Sequence, residues 1–162
     1  MLPTTAGRIP PENAPQPTGG SRPVRAQAVL VVALALGGAA GAVAREAIAL
    51  ALPDTVGRFP WATFTVNMSG SAVLGFLLVV LAEQFPRGKL VRPVVGTGII
   101  GAYTTFSTFA VDAVDLVRHH HAGVAALYVT VSVAGGLVVA ALGIAGGRLV
   151  IRLEHWLQAT LS

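Results

Sequence analysis

Four stretches of this 162-residue chain are apolar and nearly free of charge over about the 20 residues that a helix needs to cross hydrocarbon. In lipid every backbone N–H and C=O must find its partner inside the protein, so segments of that length and spacing fold as membrane helices. The first run is uncharged from Ala28 to Ala44 and is expected to continue through Arg45 and Glu46 to about Leu52, where Pro53 stops it. The others cover about 61–82, 90–111 and 122–147. Charged residues make up 11% of the chain, against about 25% in a soluble domain, and hydrophobic residues 54%. The expected fold is therefore an all-α membrane protein with four transmembrane helices, occupying residues 27–152 as one domain. Residues 1–26, with six prolines and no periodicity, are expected to form a disordered tail, and 153–162 a short C-terminal tail. A signal peptide is the competing reading of the first run, because Arg22 and Arg25 precede it and Ala42-Val43-Ala44 resembles a cleavage site. The long leader and the immediate return of apolar sequence disfavour it.

An even number of spans puts both termini on one side, so the flanking charges can be sorted. Arg22, Arg25, Arg87, Lys89, Arg92, Arg148 and Arg152 lie on the side of the termini, Arg58 and Arg118 lie opposite, and Arg45 is ambiguous. This bias predicts cytoplasmic termini in a multi-pass protein of the cell (plasma or inner) membrane. The cations sit at segment ends rather than on one face, which reads as membrane anchoring and excludes nucleic acid as the expected partner. No cysteine is present, so neither disulfides nor Cys-ligated metals are possible. No catalytic residue is assigned and no enzymatic activity is expected.

Small residues recur at four-residue steps, as at Gly37 and Gly41, Ser132 and Gly136, and Gly143 and Gly147. This spacing lets helix backbones approach closely and predicts a tight bundle or oligomer. Polar residues inside the spans are the candidate functional groups. Asn67 lies about two turns into the second span and shares a face with Ser71; its amide is either interhelical glue or a donor able to replace water around an anion. Tyr128 and Ser132 form a second i, i+4 pair in the fourth span.

The densest polar run is Gly101-Ala102-Tyr103-Thr104-Thr105-Phe106-Ser107-Thr108-Phe109, with four hydroxyl residues and three aromatics at membrane depth. Such a run must face protein or water rather than acyl chains. Gly98, Gly101 and the β-branched Thr104-Thr105 pair favour a break in the helix, which would offer carbonyls to a small cation and N–H groups to an anion. Phe106 and Phe109 project from one side, where a ring's positive edge can meet an anion.

At these residues the sequence resembles the Fluc/CrcB family of fluoride-specific channels. The similarity rests on Gly-Gly-x-x-Gly-Ala-x-x-Arg at Gly37 to Arg45, Val-Asn-x-x-Gly at Val66 to Gly70, Gly-x-x-Thr-Thr-Phe-Ser-Thr-Phe at Gly101 to Phe109, and Tyr-x-x-x-Ser at Tyr128 to Ser132. The resemblance implies a passive channel that lowers cytoplasmic fluoride, built as an antiparallel dimer with two fluoride pathways and a structural sodium ion at its centre. Carried over by motif, Asn67 would donate its amide to fluoride, the edges of Phe106 and Phe109 would line the pore, and Ser107, Thr108, Tyr128 and Ser132 would form a hydroxyl track. Gly101 and Thr104 would give backbone carbonyls to sodium, and Arg45 would attract anions at a vestibule.

The sequence departs from the family's usual pattern in three places. Glu46 follows Arg45 where an aromatic is common and is expected to pair with it, Ala102 stands for a frequent glycine, and Asp112 for a frequent glutamate. The subunit of the antiparallel dimer could pair with itself or with an oppositely oriented paralogue, and the charge bias predicts a subunit of fixed orientation and hence the paralogue. Two other classes compete. A small multidrug-type antiporter needs a membrane-embedded carboxylate, for which only Glu46 qualifies, and a non-transporting scaffold would leave the Asn and hydroxyl positions without purpose.

Overall fold

A computed structural model of the chain describes residues 24–84 and 90–161. The expected tail over 1–23 and the cations Arg22, Arg87 and Lys89 lie outside the described residues. Among the described residues every regular element is helical: α1 (Val24–Ala51), α2 (Trp61–Gln84), a π-helical segment (Pro93–Ile100) that runs into the single turn α3 (Gly101–Tyr103), α4 (Phe106–Arg118) and α5 (Ala122–Leu161). The π-helical segment, α3 and α4 together form the third of four spans, Pro93–Arg118, all long and apolar enough to cross a membrane.

Local sequence explains where these helices start and stop. Pro53 follows the end of α1, Pro60 precedes Trp61, and Pro93 occupies the first position of the π-helical segment, where a missing N–H is harmless. The loop between α1 and α2 turns at Gly57, whose φ of +78° a Cβ would strain, and the His121 imidazole lies directly against it. That contact brings the α1–α2 and α4–α5 loops to the same end of the bundle.

Three boundaries differ from the sequence expectation. The first helix already begins at Val24, inside the expected tail. The third span runs on to Arg118 rather than stopping near Val111, because Asp112 finds a partner within the protein, the hydroxyl of Tyr128. The largest difference is in α5, which continues through the expected tail to Leu161 and is 40 residues long. Arg148 and Arg152 do not end it, since residues 148–161 contain neither Gly nor Pro and are mostly good helix formers.

Glycine sets the interhelical distances. A Cβ on Gly75 would lie 2.2 Å from the Ala140 carbonyl oxygen and one on Gly143 2.2 Å from that of Ala72, so α2 and α5 touch backbone to backbone. Met68 lies against Gly135 and Val79 against Gly147, which makes the two helices parallel. Gly41 plays the same part between α1 and the third span, where its Cβ would lie 2.1 Å from the Ile99 carbonyl oxygen. Leu116, Ala125 and Tyr128 form a buried cluster, packed by Phe59, Phe64 and Phe109. The Tyr128 ring meets Phe59 edge-on at 5.3 Å and Phe109 at 5.1 Å, a geometry in which aromatic pairs attract beyond simple burial.

Candidate ion pathway at the helix break

The third span opens over two residues. Thr104 (φ −75°, ψ 158°) and Thr105 (φ −145°, ψ 123°) are extended between α3 and α4. Two β-branched residues in sequence are poor helix formers and fit an extended backbone without strain. Their side chains also occupy themselves locally. Thr104 Oγ1 donates to the Ile100 carbonyl at 3.0 Å, and Thr105 Oγ1 accepts the Thr108 amide at 3.2 Å, capping α4. Thr105 Oγ1 further donates to Thr108 Oγ1 at 2.9 Å, and Ser107 Oγ lies 3.3 Å from Thr105 Oγ1.

An unwound peptide at membrane depth needs outside partners, and Asn67 supplies them. Its Nδ2 donates to the Thr105 carbonyl at 2.9 Å, while its Oδ1 accepts the Thr105 amide at 2.9 Å. The two bonds fix the orientation of the amide, because the flipped form would set donor against donor and acceptor against acceptor. They also fix its free capacity: one Nδ2 hydrogen remains. Beside this clasp Gly70 makes room for the break, since its Cβ would lie 2.3 Å from Thr104 Cγ2. Ser69 Oγ donates to the Thr65 carbonyl at 2.7 Å, so the Tyr103 hydroxyl, 2.8 Å away, is the donor in their shared bond.

Two clefts meet at Thr105. One, of about 240 Å³, is bounded by Asn67, Gly70, Ser71, Thr104, Thr105 and Phe106. The other, of about 320 Å³, is bounded by Arg45, Glu46, Thr63, Thr105, Ser107 and Thr108, among others. Arg45 thus shares a cleft with the α4 hydroxyls. Arg45 and Glu46 form no ion pair with each other, contrary to the expected pairing: neighbours in a helix point about 100° apart.

The remaining predicted residues divide into an outer and an inner set. Phe106 is 80% exposed on the subunit surface, and its ring centre lies 5.9 Å from that of Phe109. Phe109 turns inward onto Tyr128, which is fully buried and gives its hydroxyl hydrogen to Asp112 Oδ2 at 3.2 Å. One turn further along α5, Ser132 is 8% exposed, and its buried Oγ has no hydrogen-bond partner among the described residues. A buried hydroxyl without a partner is costly and marks a place where a further ligand would be favourable. Gly101 keeps helical angles but its carbonyl loses the usual closing donor, because the Thr105 amide is committed to Asn67. The sequence reading missed Thr105, Thr63 and Asp112. Thr105 carried a legible signal, a hydroxyl residue immediately before a helix start.

A four-span bundle with an unwound third span, an amide clasp across the break and two clefts meeting there defines a multi-pass membrane protein of the channel or transporter class. The chain belongs to the CrcB family: the family model described as "CrcB-like protein, Camphor Resistance (CrcB)" matches residues 32–144. Among curated proteins it is similar to "Fluoride-specific ion channel FluC 2" of Streptomyces avermitilis, 49% identical over 102 residues, which are 63% of this chain and 65% of that protein. It is similar to "Fluoride-specific ion channel FluC 1" of Streptomyces coelicolor at 52% over 92 residues, 57% of this chain and 60% of that protein. "Fluoride-specific ion channel FluC 1" of Mycobacterium bovis is 45% identical over 109 residues, 67% of this chain and 82% of that protein. The chain therefore spans less than two thirds of the two Streptomyces relatives.

Proposed function

We propose that this chain is the subunit of a passive, fluoride-selective channel of the cell membrane that lets fluoride leave the cytoplasm. The observation that carries the reading is the Asn67 clasp on Thr105, which holds open a break in a membrane span and leaves one amide hydrogen beside a cleft. Fluoride is small and strongly hydrated, so passage requires close replacement of its water by donors, while release requires that no site hold it tightly. The spare Asn67 hydrogen, the ring edges of Phe106 and Phe109, and the hydroxyls of Ser107, Thr108 and Ser132 meet both needs, with no Lys or Arg inside the track to trap the ion. Tyr128 contributes its ring where its hydroxyl is engaged by Asp112, and Arg45 concentrates anions at the second cleft.

A second subunit completes the pathway. Phe106, Ser107 and Thr108 face outward from the single chain, so an antiparallel partner, either a second copy or an oppositely oriented paralogue, supplies the opposite wall. The charge bias favours the paralogue. A structural sodium ion fits the break: the Gly101 carbonyl lacks its helical donor, and the Thr104 carbonyl belongs to extended backbone. These two oxygens would hold it, and the ion would supply the positive charge that carbonyls gathered in lipid require.

Liposome efflux read with a fluoride electrode, and in parallel with a chloride electrode, tests the function. The purified chain, alone or with its paralogue, is expected to release fluoride and retain chloride. Fluoride flux that survives Asn67→Ala combined with Phe106→Ile would sink the pathway. Full flux from an antiparallel homodimer purified alone would sink the paralogue.

A further inference from the structure

We propose that the end of α5 beyond Gly147 holds one anionic phospholipid, with the headgroup phosphate on Arg148, Arg152 and His155 and an acyl chain along the adjoining apolar flank. The apolar run of α5 from Ala122 to Gly147 covers about 39 Å at about 1.5 Å per residue, enough to cross the roughly 30 Å hydrocarbon core, and it ends at the charged residues Arg148 and Arg152. Arg148 and Arg152 then stand at headgroup depth, level with Glu83 across the parallel helix α2.

At i, i+4 and i+7, Arg148, Arg152 and His155 share one face, and with Glu83 and Ile151 they bound a cleft of about 280 Å³. Two arginines exceed the single carboxylate of that cleft by one charge. Neither arginine has an ion-pair or hydrogen-bond partner among the described residues. Other groups already perform the structural tasks at this end. Arg92 donates to the terminal carbonyls of α2, from Nε to Leu81 at 3.2 Å and from Nη2 to Ala82 at 3.1 Å. Glu154, the other nearby carboxylate, accepts Gln84 Nε2 at 2.6 Å, which binds the two helices together.

The second half of the site is apolar. Leu149 (57% exposed), Leu142 (64%) and Val138 (58%) form an exposed stripe at i, i−7 and i−11 beside the basic one, running from the cleft into the hydrocarbon. A cationic cleft at headgroup depth joined to an apolar stripe that descends into the hydrocarbon matches a molecule whose phosphate and acyl chain are covalently linked, which a free phosphate is not.

Because the chain has no cysteine, Leu149→Cys gives a unique attachment point for a fluorophore in the full-length protein. In phosphatidylcholine nanodiscs, brominated phosphatidylglycerol at low mole fraction is expected to quench this fluorophore more than brominated phosphatidylcholine does. Arg148→Gln or Arg152→Gln should reduce that preference roughly fivefold each, whereas Arg25→Gln at the same side should leave it unchanged. Equal quenching by the two lipids overturns the site. An equal loss with Arg25→Gln, which marks diffuse surface charge, also overturns it, and so does displacement by millimolar inorganic phosphate. Native mass spectrometry on unlabelled protein gives an independent readout. Phosphatidylglycerol retained by the wild type and lost from Arg148→Gln supports the site, and equal retention refutes it.

Discussion

Replacing Asn67 by alanine removes both bonds that hold the unwound peptide. The Thr105 amide and carbonyl lose partners at 2.9 Å each. If both groups stay buried and unpaired, each costs about 1–3 kcal/mol, for a total of about 2–6 kcal/mol. Interhelical side-chain bonds in membrane proteins average about 0.6 kcal/mol, because the unfolded chain in lipid also finds partners, and two such bonds set a floor of about 1.2 kcal/mol. Asn67→Ala is therefore expected to lower resistance to unfolding in detergent by about 1–6 kcal/mol and to lower fluoride flux at least tenfold, a barrier increase of about 1.4 kcal/mol. Ser69→Ala is the control. It removes one interhelical bond, to Tyr103, from the same two elements, but Ser69 is not among the residues that bound either cleft. It should destabilise by about 0.6 kcal/mol or more and leave flux within about twofold of wild type. Stability would be followed by unfolding in SDS and flux by fluoride efflux from liposomes at matched protein density. Equal flux loss in the two variants would show that general destabilisation, not the amide, limits conduction. An Asn67→Ala protein with unchanged stability would refute the clasp itself.

Three further outcomes follow from the packing. Gly75→Ala and Gly143→Ala each drive a Cβ into a facing carbonyl, so each should cost about 1–3 kcal/mol by overpacking, while Gly123→Ala, with nothing within 4 Å, should be neutral or stabilising by up to about 1 kcal/mol in the same SDS titration. Thr105→Ala should lose about 1 kcal/mol with the α4 cap, and Thr105→Ser should restore most of it, read as the thermal midpoint of the detergent-solubilised protein. Tyr128→Phe keeps the rings packed but deletes the donor to Asp112, so it should fold, lose about 1–3 kcal/mol, and change fluoride flux less than Asn67→Ala does.

The four spans and the interruption in the third were legible because both depend on local rules. Apolar length sets a span, and paired threonines flanked by glycine disfavour continued helix. What surrounds each side chain was not legible, because helices apolar on every side carry no stripe to say which face points inward. Phe106 and Phe109 illustrate this: their spacing put them on one side, yet one is exposed and the other lies on Tyr128. Asn67 was legible as a buried amide that needed partners, but the partner is a peptide 38 residues away, a pairing no sequence spacing encodes. The length of α5 departs from expectation for a different reason. Arg148 and Arg152 carry the charge of a membrane boundary, which sets the end of the span but not of the helix, since a helix can leave the bilayer without unwinding.

The clasp also bears on the order of assembly during synthesis. A third span alone in lipid would expose the Thr105 amide and carbonyl to hydrocarbon, where an open peptide is not tolerated. Asn67 lies on the preceding span, so its amide is already in the membrane when Thr105 emerges from the ribosome. The chain makes the receptor for its weakest peptide before the peptide itself. A rearranged gene that encoded the second span after the third would leave that peptide waiting in lipid, and its cost would be read in the yield of inserted protein.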